Sequence, residues 1–132
     1  MPYLLDADFI INALAGRPLE VGALRQLAPQ GIAIGWLTIG ELYEGALGGR
    51  DPEGHLRSLR HFLSPFRVLD LNDPVMERFA GIRGHLRRRG ELIPDFDILL
   101  GAIALHYDLT VLTHNVRHLR RIPDLRIYAS GA

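Results

Sequence analysis

The 132-residue chain contains no cysteine, which excludes a disulfide framework and a thiolate metal site and leaves the redox compartment open. Lysine is absent as well. All fifteen basic residues are arginine, so chemistry that sets a lysine ammonium against a phosphoryl group is closed to this chain. No apolar run approaches membrane-spanning length, and Asp6 and Asp8 interrupt the only early apolar stretch. Neither a membrane span nor a signal peptide is expected, and a cytoplasmic protein is the simplest reading. Acidic and basic residues balance at fifteen each, so the chain as a whole advertises no polyanion partner. Linkers, low-complexity segments and internal repeats are also lacking. One domain over residues 1–132 is therefore expected, with 48% hydrophobic content sufficient for a full core.

What is present alternates between strand and helix patterns. Tyr3-Leu4-Leu5, Ile32-Ala33-Ile34, Arg67-Val68-Leu69, Thr110-Val111-Leu112 and Arg126-Ile127-Tyr128 read as short buried strands. Between them lie helices over 8–15, 18–28, from Thr38 as cap to Gly48-Gly49, from Asp51-Pro52 to about Phe62, from Asp73-Pro74 to about Arg89, and from Pro94-Asp95 to about His106. This is a doubly wound α/β layout, whose parallel sheet binds ligands beyond the carboxyl ends of its strands.

Four polar residues fall where such a sheet gathers them. Asp6 directly follows the first strand, Glu41 sits one turn into the helix after the second, Asp97 lies in the first turn of a helix, and Asn115 follows the fourth strand. Carboxylates in a helix's first turn are often there only to favour its dipole, a reading open for Glu41 and Asp97. Asp6 is different, because a carboxylate against a buried strand costs several kcal/mol unless it is paired or bound to metal. An acidic pocket fit for a divalent cation is the reading that joins them.

The strings around these residues, Leu4-Leu5-Asp6-Ala7-Asp8, Thr38-Ile39-Gly40-Glu41-Leu42-Tyr43-Glu44-Gly45, Ile93-Pro94-Asp95-Phe96-Asp97-Ile98-Leu99-Leu100-Gly101-Ala102-Ile103-Ala104 and Val111-Leu112-Thr113-His114-Asn115-Val116-Arg117-His118-Leu119, resemble in order and spacing the motifs of PIN-domain nucleases. They are most similar to the VapC-type toxins of toxin–antitoxin pairs, over nearly the entire chain. The resemblance implies a three-layer α/β/α fold with a five-stranded parallel sheet, Mg2+- or Mn2+-dependent endoribonuclease activity, a homodimer, and inhibition by a small VapB-like antitoxin. It carries catalytic roles to Asp6, Glu41, Asp97 and Asn115, the first three as metal ligands, which suits hard cations. Asn115 departs from the acid often found at the fourth position and lowers the charge of the site by one unit, against a tightly held second metal. Thr38 and Thr113 fit donors that orient a carboxylate or water but also fit helix caps, the simpler role for Thr38. Asp8 suits a contact to metal through water, or capping, which is simpler; Asp95 beside Pro94 reads as a cap.

RNA binding needs positive charge beside the acids. Arg117, Arg120 and Arg121, with His118, follow Asn115 and are the nearer candidates; Arg87-Arg88-Arg89 reads as a solvated helix end. His114 and His118 have the i,i+4 spacing of a zinc pair, but no third ligand is evident. Trp36, Tyr43, Phe62, Phe66, Phe79 and Leu86 read as core or interface filler. Phe9, Ile11, Leu14 and Leu24 are candidates for the apolar groove that takes the antitoxin in the resembled family. The Asp6-Ala7-Asp8 pair is also similar to haloacid-dehalogenase-type phosphatases and response-regulator receivers, but both lean on a lysine for phosphoryl stabilisation. A catalytically silent PIN-like module binding RNA or protein is the remaining alternative, motivated by Asn115.

Overall fold

In the computed structural model, which describes residues 2–128, the first four apolar runs form one parallel sheet. Its strands are β1 (Tyr3–Leu5), β2 (Ile32–Gly35), β3 (Arg67–Leu69) and β4 (Thr110–Leu112), in the order β3-β2-β1-β4. β1 is central, with Leu4 opposite Ala33 on one side and Val111 on the other. Helices α1 (Ala7–Leu14) and α2 (Pro18–Leu27) join β1 to β2, and α3 (Trp36–Leu47) and α4 (Pro52–Leu63) join β2 to β3. The chain then returns past β1 through α5 (Asp73–Arg88) and α6 (Asp95–His106) to β4, after which comes a short α7 (Val116–Leu119).

Strand alternation sorts the side chains into two cores. Leu4, Ala33, Leu69 and Val111 pack with Val75 and Leu86 of α5 and with α6, while Leu5, Ile32, Ile34 and Leu112 pack with α1 to α4. The layers are those expected, helices on both faces of a parallel sheet. Leu4 and Leu5 are completely buried, each worth roughly 1.5–3 kcal/mol in apolar burial. α6 buries every residue from Ile98 to Ala104, which accounts for its lack of a polar stripe: it lies between α5, α7 and the sheet.

Several local expectations change. Arg126–Tyr128 does not form a fifth strand. Ile127 makes a single parallel bridge to Val111, with the Val111 N–H donating to the Arg126 carbonyl and the Tyr128 N–H to the Val111 carbonyl, both at 2.9 Å. Among the described residues the sheet has four strands: the chain has just turned at Asp124, whose φ is 65°, and only Ile127 comes into register with the free edge of β4. Thr38 does not cap α3: β2 runs into the helix without a linker, Gly35 takes the cap position, and Thr38 lies buried inside the first turn. Trp36, at the helix start, is 55% exposed and donates from Nε1 to Asp70 Oδ1 at 2.7 Å, so it is not core. The cap of α1 is Asp6 rather than Asp8, and Asp95 pairs with Arg83 at 2.9 Å instead of capping α6.

Candidate active site

β1 and β4 are neighbours in the sheet, yet the helices that follow them go to opposite faces. Phe9 and Ile10 of α1 join one core and Leu119 of α7 joins the other. That divergence opens a crevice at the carboxyl ends of the two strands. Asp6 and Thr113 are the first residues beyond them. The Asp6 N–H continues the ladder to the Leu112 carbonyl (3.0 Å), its Oδ1 accepts from the Ala7 N–H (2.8 Å), and its Oδ2 accepts from the Thr113 hydroxyl (2.7 Å). Thr113 Oγ1 in turn accepts the Asn115 N–H at 2.9 Å. One hydroxyl thereby fixes both a carboxylate and the loop carrying Asn115.

Glu41 from α3 and Asp97 from the first turn of α6 enter the same hollow, an open space of about 440 Å³ lined by Asp6, Asp8, Glu41, Asp97, His114 and Asn115. Its inner neck, lined by Asp6, Thr38, Glu41, Phe96 and Asp97 among others, encloses about 10 Å³, room for one water-sized group. Asn115 Nδ2 donates to Asp97 Oδ2 at 2.9 Å, and His118 Nδ1 lies 3.0 Å from the same oxygen. All four residues singled out in the sequence therefore meet at one rim.

The charge there is poorly compensated. Burial raises the Asp6 carboxyl above its ordinary 3.8; the Thr113 hydrogen bond opposes this, and the charges of Asp8 and Asp97 add to it. Glu41 is raised above 4.5, first by partial burial of its carboxyl, although the residue as a whole is exposed, and then by Asp6, Asp97 and Asp8. Among the described residues no cation pairs with Asp6 or Glu41. Nor do any three Asp, Glu or His side chains there close into a ready-made ligand cluster. A hollow whose free ligand atoms are mainly carboxylate oxygens fits magnesium or manganese, which keep several waters and bind through few carboxylates, better than it fits zinc.

The surrounding residues divide. Both oxygens of Asp8 receive the His114 N–H at 3.3 Å, so Asp8 ties α1 to the loop after β4. The His114 ring stacks on Phe9 (centroids 5.3 Å apart) and its Nε2 lies 3.5 Å from the buried Glu20 carboxylate, whereas His118 turns to Asp97. The two histidines thus serve different partners, not one zinc. Glu20 escaped the sequence reading, although it stands three, four and seven residues before Ala23, Leu24 and Leu27, in line with the apolar stripe of α2. Arg117 and Arg120 are exposed, within and at the end of α7, while Arg121 donates to the Glu91 carbonyl at 3.3 Å.

An apolar groove of about 540 Å³ adjoins the acids, with Ile11 and Leu14 of α1 facing Leu42, Ala46 and Leu59 and with Glu41 at its edge. Ile11 and Leu14 are exposed as a groove requires; Phe9 and Leu24 are core residues and do not line it.

Comparisons with known proteins agree with this arrangement. The model of the PIN domain family matches residues 3–125. Ribonuclease VapC2 of Haemophilus influenzae is 29% identical over 126 residues, 96% of either chain. The tRNA(fMet)-specific endonuclease VapC of Salmonella typhimurium is 28% identical over 127 residues, again 96% of either chain. The structure of VapBC2 from Rickettsia felis bound to a DNA fragment from their promoter superposes with a TM-score of 0.90 at 25% identity, covering 97% of this chain and 98% of that one.

Proposed function

Because the chain belongs to the PIN domain family, we propose that it is a divalent-metal-dependent endoribonuclease, the toxin of a toxin–antitoxin pair, built as a single domain over residues 1–132. The observation that carries this reading is the meeting of Asp6, Glu41 and Asp97, from three separate elements, in one hollow without a paired cation on Asp6 or Glu41. Those three carboxylates would hold Mg2+ or Mn2+. The bound cation supplies Lewis-acid stabilisation of charge developing on a phosphodiester. Thr113 keeps Asp6 turned toward the hollow, and Asn115 takes up one oxygen of Asp97 instead of adding a fourth charge. Exposed Arg117 and Arg120 are set to take backbone phosphates, since phosphate contacts position nucleic acid and supply most of its affinity. Arg121 has a smaller share, its guanidinium being committed to the Glu91 carbonyl.

The antitoxin seat belongs to the same reading. An amphipathic segment laid between Ile11, Leu14 and Leu59 would bury apolar surface and bring a basic residue to Glu41, covering the hollow. The relatives' names, a ribonuclease, a tRNA(fMet)-specific endonuclease and a VapBC complex, support an RNA substrate and a VapB-like partner. The resemblance to the family supports a homodimer. Among the described residues no helix is long and apolar enough to cross a membrane, and a cytoplasmic site of action suits a substrate of cellular RNA.

The test is cleavage of total RNA by purified wild-type and Asp6→Asn protein, with Mg2+ or Mn2+ and with chelator. Cleavage that requires both the cation and Asp6 is expected. A folded Asp6→Asn protein that cuts like the wild type would overturn the mechanism, and a well-folded wild type that never cuts would favour a silent binding module.

A further inference from the structure

Asp97 is held differently from the other two carboxylates. Asn115 Nδ2 and His118 Nδ1 both approach its Oδ2, at 2.9 and 3.0 Å. An ionised carboxylate only accepts hydrogen bonds, so the His118 ring carries a proton on the nitrogen that faces it, Nδ1. The 3.3 Å between Asn115 Nδ2 and His118 Nδ1 is then a contact between two donors that share an acceptor. Two donors on Oδ2 leave Oδ1 as the oxygen of Asp97 with no described hydrogen-bond partner. The donors are themselves anchored: the Asn115 N–H is bound to Thr113 Oγ1, and His118 precedes Leu119, which is fully buried under α6.

We propose that His118 is a positioning residue: its Nδ1–H, together with the Asn115 amide, pins one oxygen of Asp97 so that the other is presented to the cation in a single orientation. The proposal rests on the metal-site reading above. A histidine read in the sequence as part of an RNA-facing basic cluster is thereby assigned to the orientation of an acid 21 residues away. Neighbours of metal ligands in this role typically contribute 10–100-fold to metal affinity.

The experiment is calorimetric titration of the full-length, antitoxin-free protein with Mn2+ at one pH, for wild type, His118→Ala, His118→Asn, His118→Gln and Asp97→Asn. Asparagine places an N–H near the position of Nδ1, whereas glutamine places it near Nε2. His118→Ala and His118→Gln should bind Mn2+ about 10–100-fold more weakly than wild type, and His118→Asn should recover most of the loss. Wild-type affinity in the glutamine variant, or in a folded alanine variant, overturns the proposal. So does an asparagine variant as weak as glutamine, which would mean that the ring acts through something other than Nδ1. The glutamine and asparagine pair decides even where the alanine variant does not fold. If Asp97→Asn binds like wild type, or wild type binds no Mn2+, the carboxylate metal site itself fails and the role of His118 falls with it.

Discussion

Thr113 uses one hydroxyl in two directions, donating to Asp6 and accepting from Asn115. Valine in its place keeps the volume and removes both bonds, so Thr113→Val should lower metal affinity or cleavage about 10–100-fold with the fold intact, and Thr113→Ser should keep most of it. Cleavage rates across a Mn2+ series separate the two. The raised carboxyls of Asp6 and Glu41 set a pH dependence of definite sign. Each must be ionised to hold a cation, and each takes up its proton at a higher pH than an ordinary carboxyl, so Mn2+ affinity should fall on acidification beginning above pH 4.5. An affinity flat down to 4.5 would contradict those shifts. At this scale Asp6 was legible in the sequence because a charge directly after a buried strand demands a partner, whereas Glu41 and Asp97, on helices where a carboxylate can simply favour the dipole, were legible only through the family motifs around them. The contacts of His118 with Asp97 and of His114 with Glu20 were not legible, since they span 21 and 94 residues and depend on where α6 and α2 are packed.

Among the elements, α5 has the clearest start: Asn72 accepts the Val75 N–H at 3.0 Å and its amide donates to the Tyr107 hydroxyl at 3.2 Å. Asn72→Ala should cost about 1 kcal/mol, read as a lowered denaturant midpoint with an unchanged slope. α1, α3 and α4 make the apolar groove, and the proposed antitoxin seat predicts that Leu14→Asp, at a residue that lines the groove but not the acidic hollow, leaves RNA cleavage intact while abolishing relief of growth arrest by a co-expressed antitoxin. Relief that survives would move the partner elsewhere. The first six helices and first four strands could be read from apolar spacing and from Pro or Asx starts, whereas the four-residue α7 was too short to leave a period. Where reading failed, tertiary packing decided. α3 has no polar start signal because Gly35 carries the chain straight out of β2, and the 126–128 segment has strand composition but meets the free edge of β4 only at the Val111–Ile127 bridge.

For the whole molecule, the acidic hollow opposes folding when no cation is present. A carboxyl with a raised folded pKa adds stability below its unfolded pKa and loses that contribution as the pH rises through the folded value. Metal-free wild type should therefore pay a charge penalty at neutral pH. Glu41→Gln removes a carboxylate disfavoured by burial and by repulsion from Asp6, Asp97 and Asp8, so its metal-free melting temperature should exceed that of wild type at pH 7, with the gap closing as the pH falls toward 4.5. Saturating Mn2+ should shift the balance toward wild type, because a ligand of the native state stabilises it by mass action.

The sheet order bears on when the site comes into being. β1 takes β2 as one neighbour and waits for β4, made more than a hundred residues later, as the other; the Asp6–Thr113 bond spans 107 positions. Contacts so distant along the chain are formed late and slowly, after the entropy of closing the intervening loop has been met. During synthesis the N-terminal helices can collapse onto β1 and β2 while Thr113, Asn115 and His118 do not yet exist. A nascent chain of this protein therefore carries Asp6 long before the residues that would fix it in a cutting geometry exist, so the proposed site would be completed only once the segment bearing Thr113, Asn115 and His118 has been made.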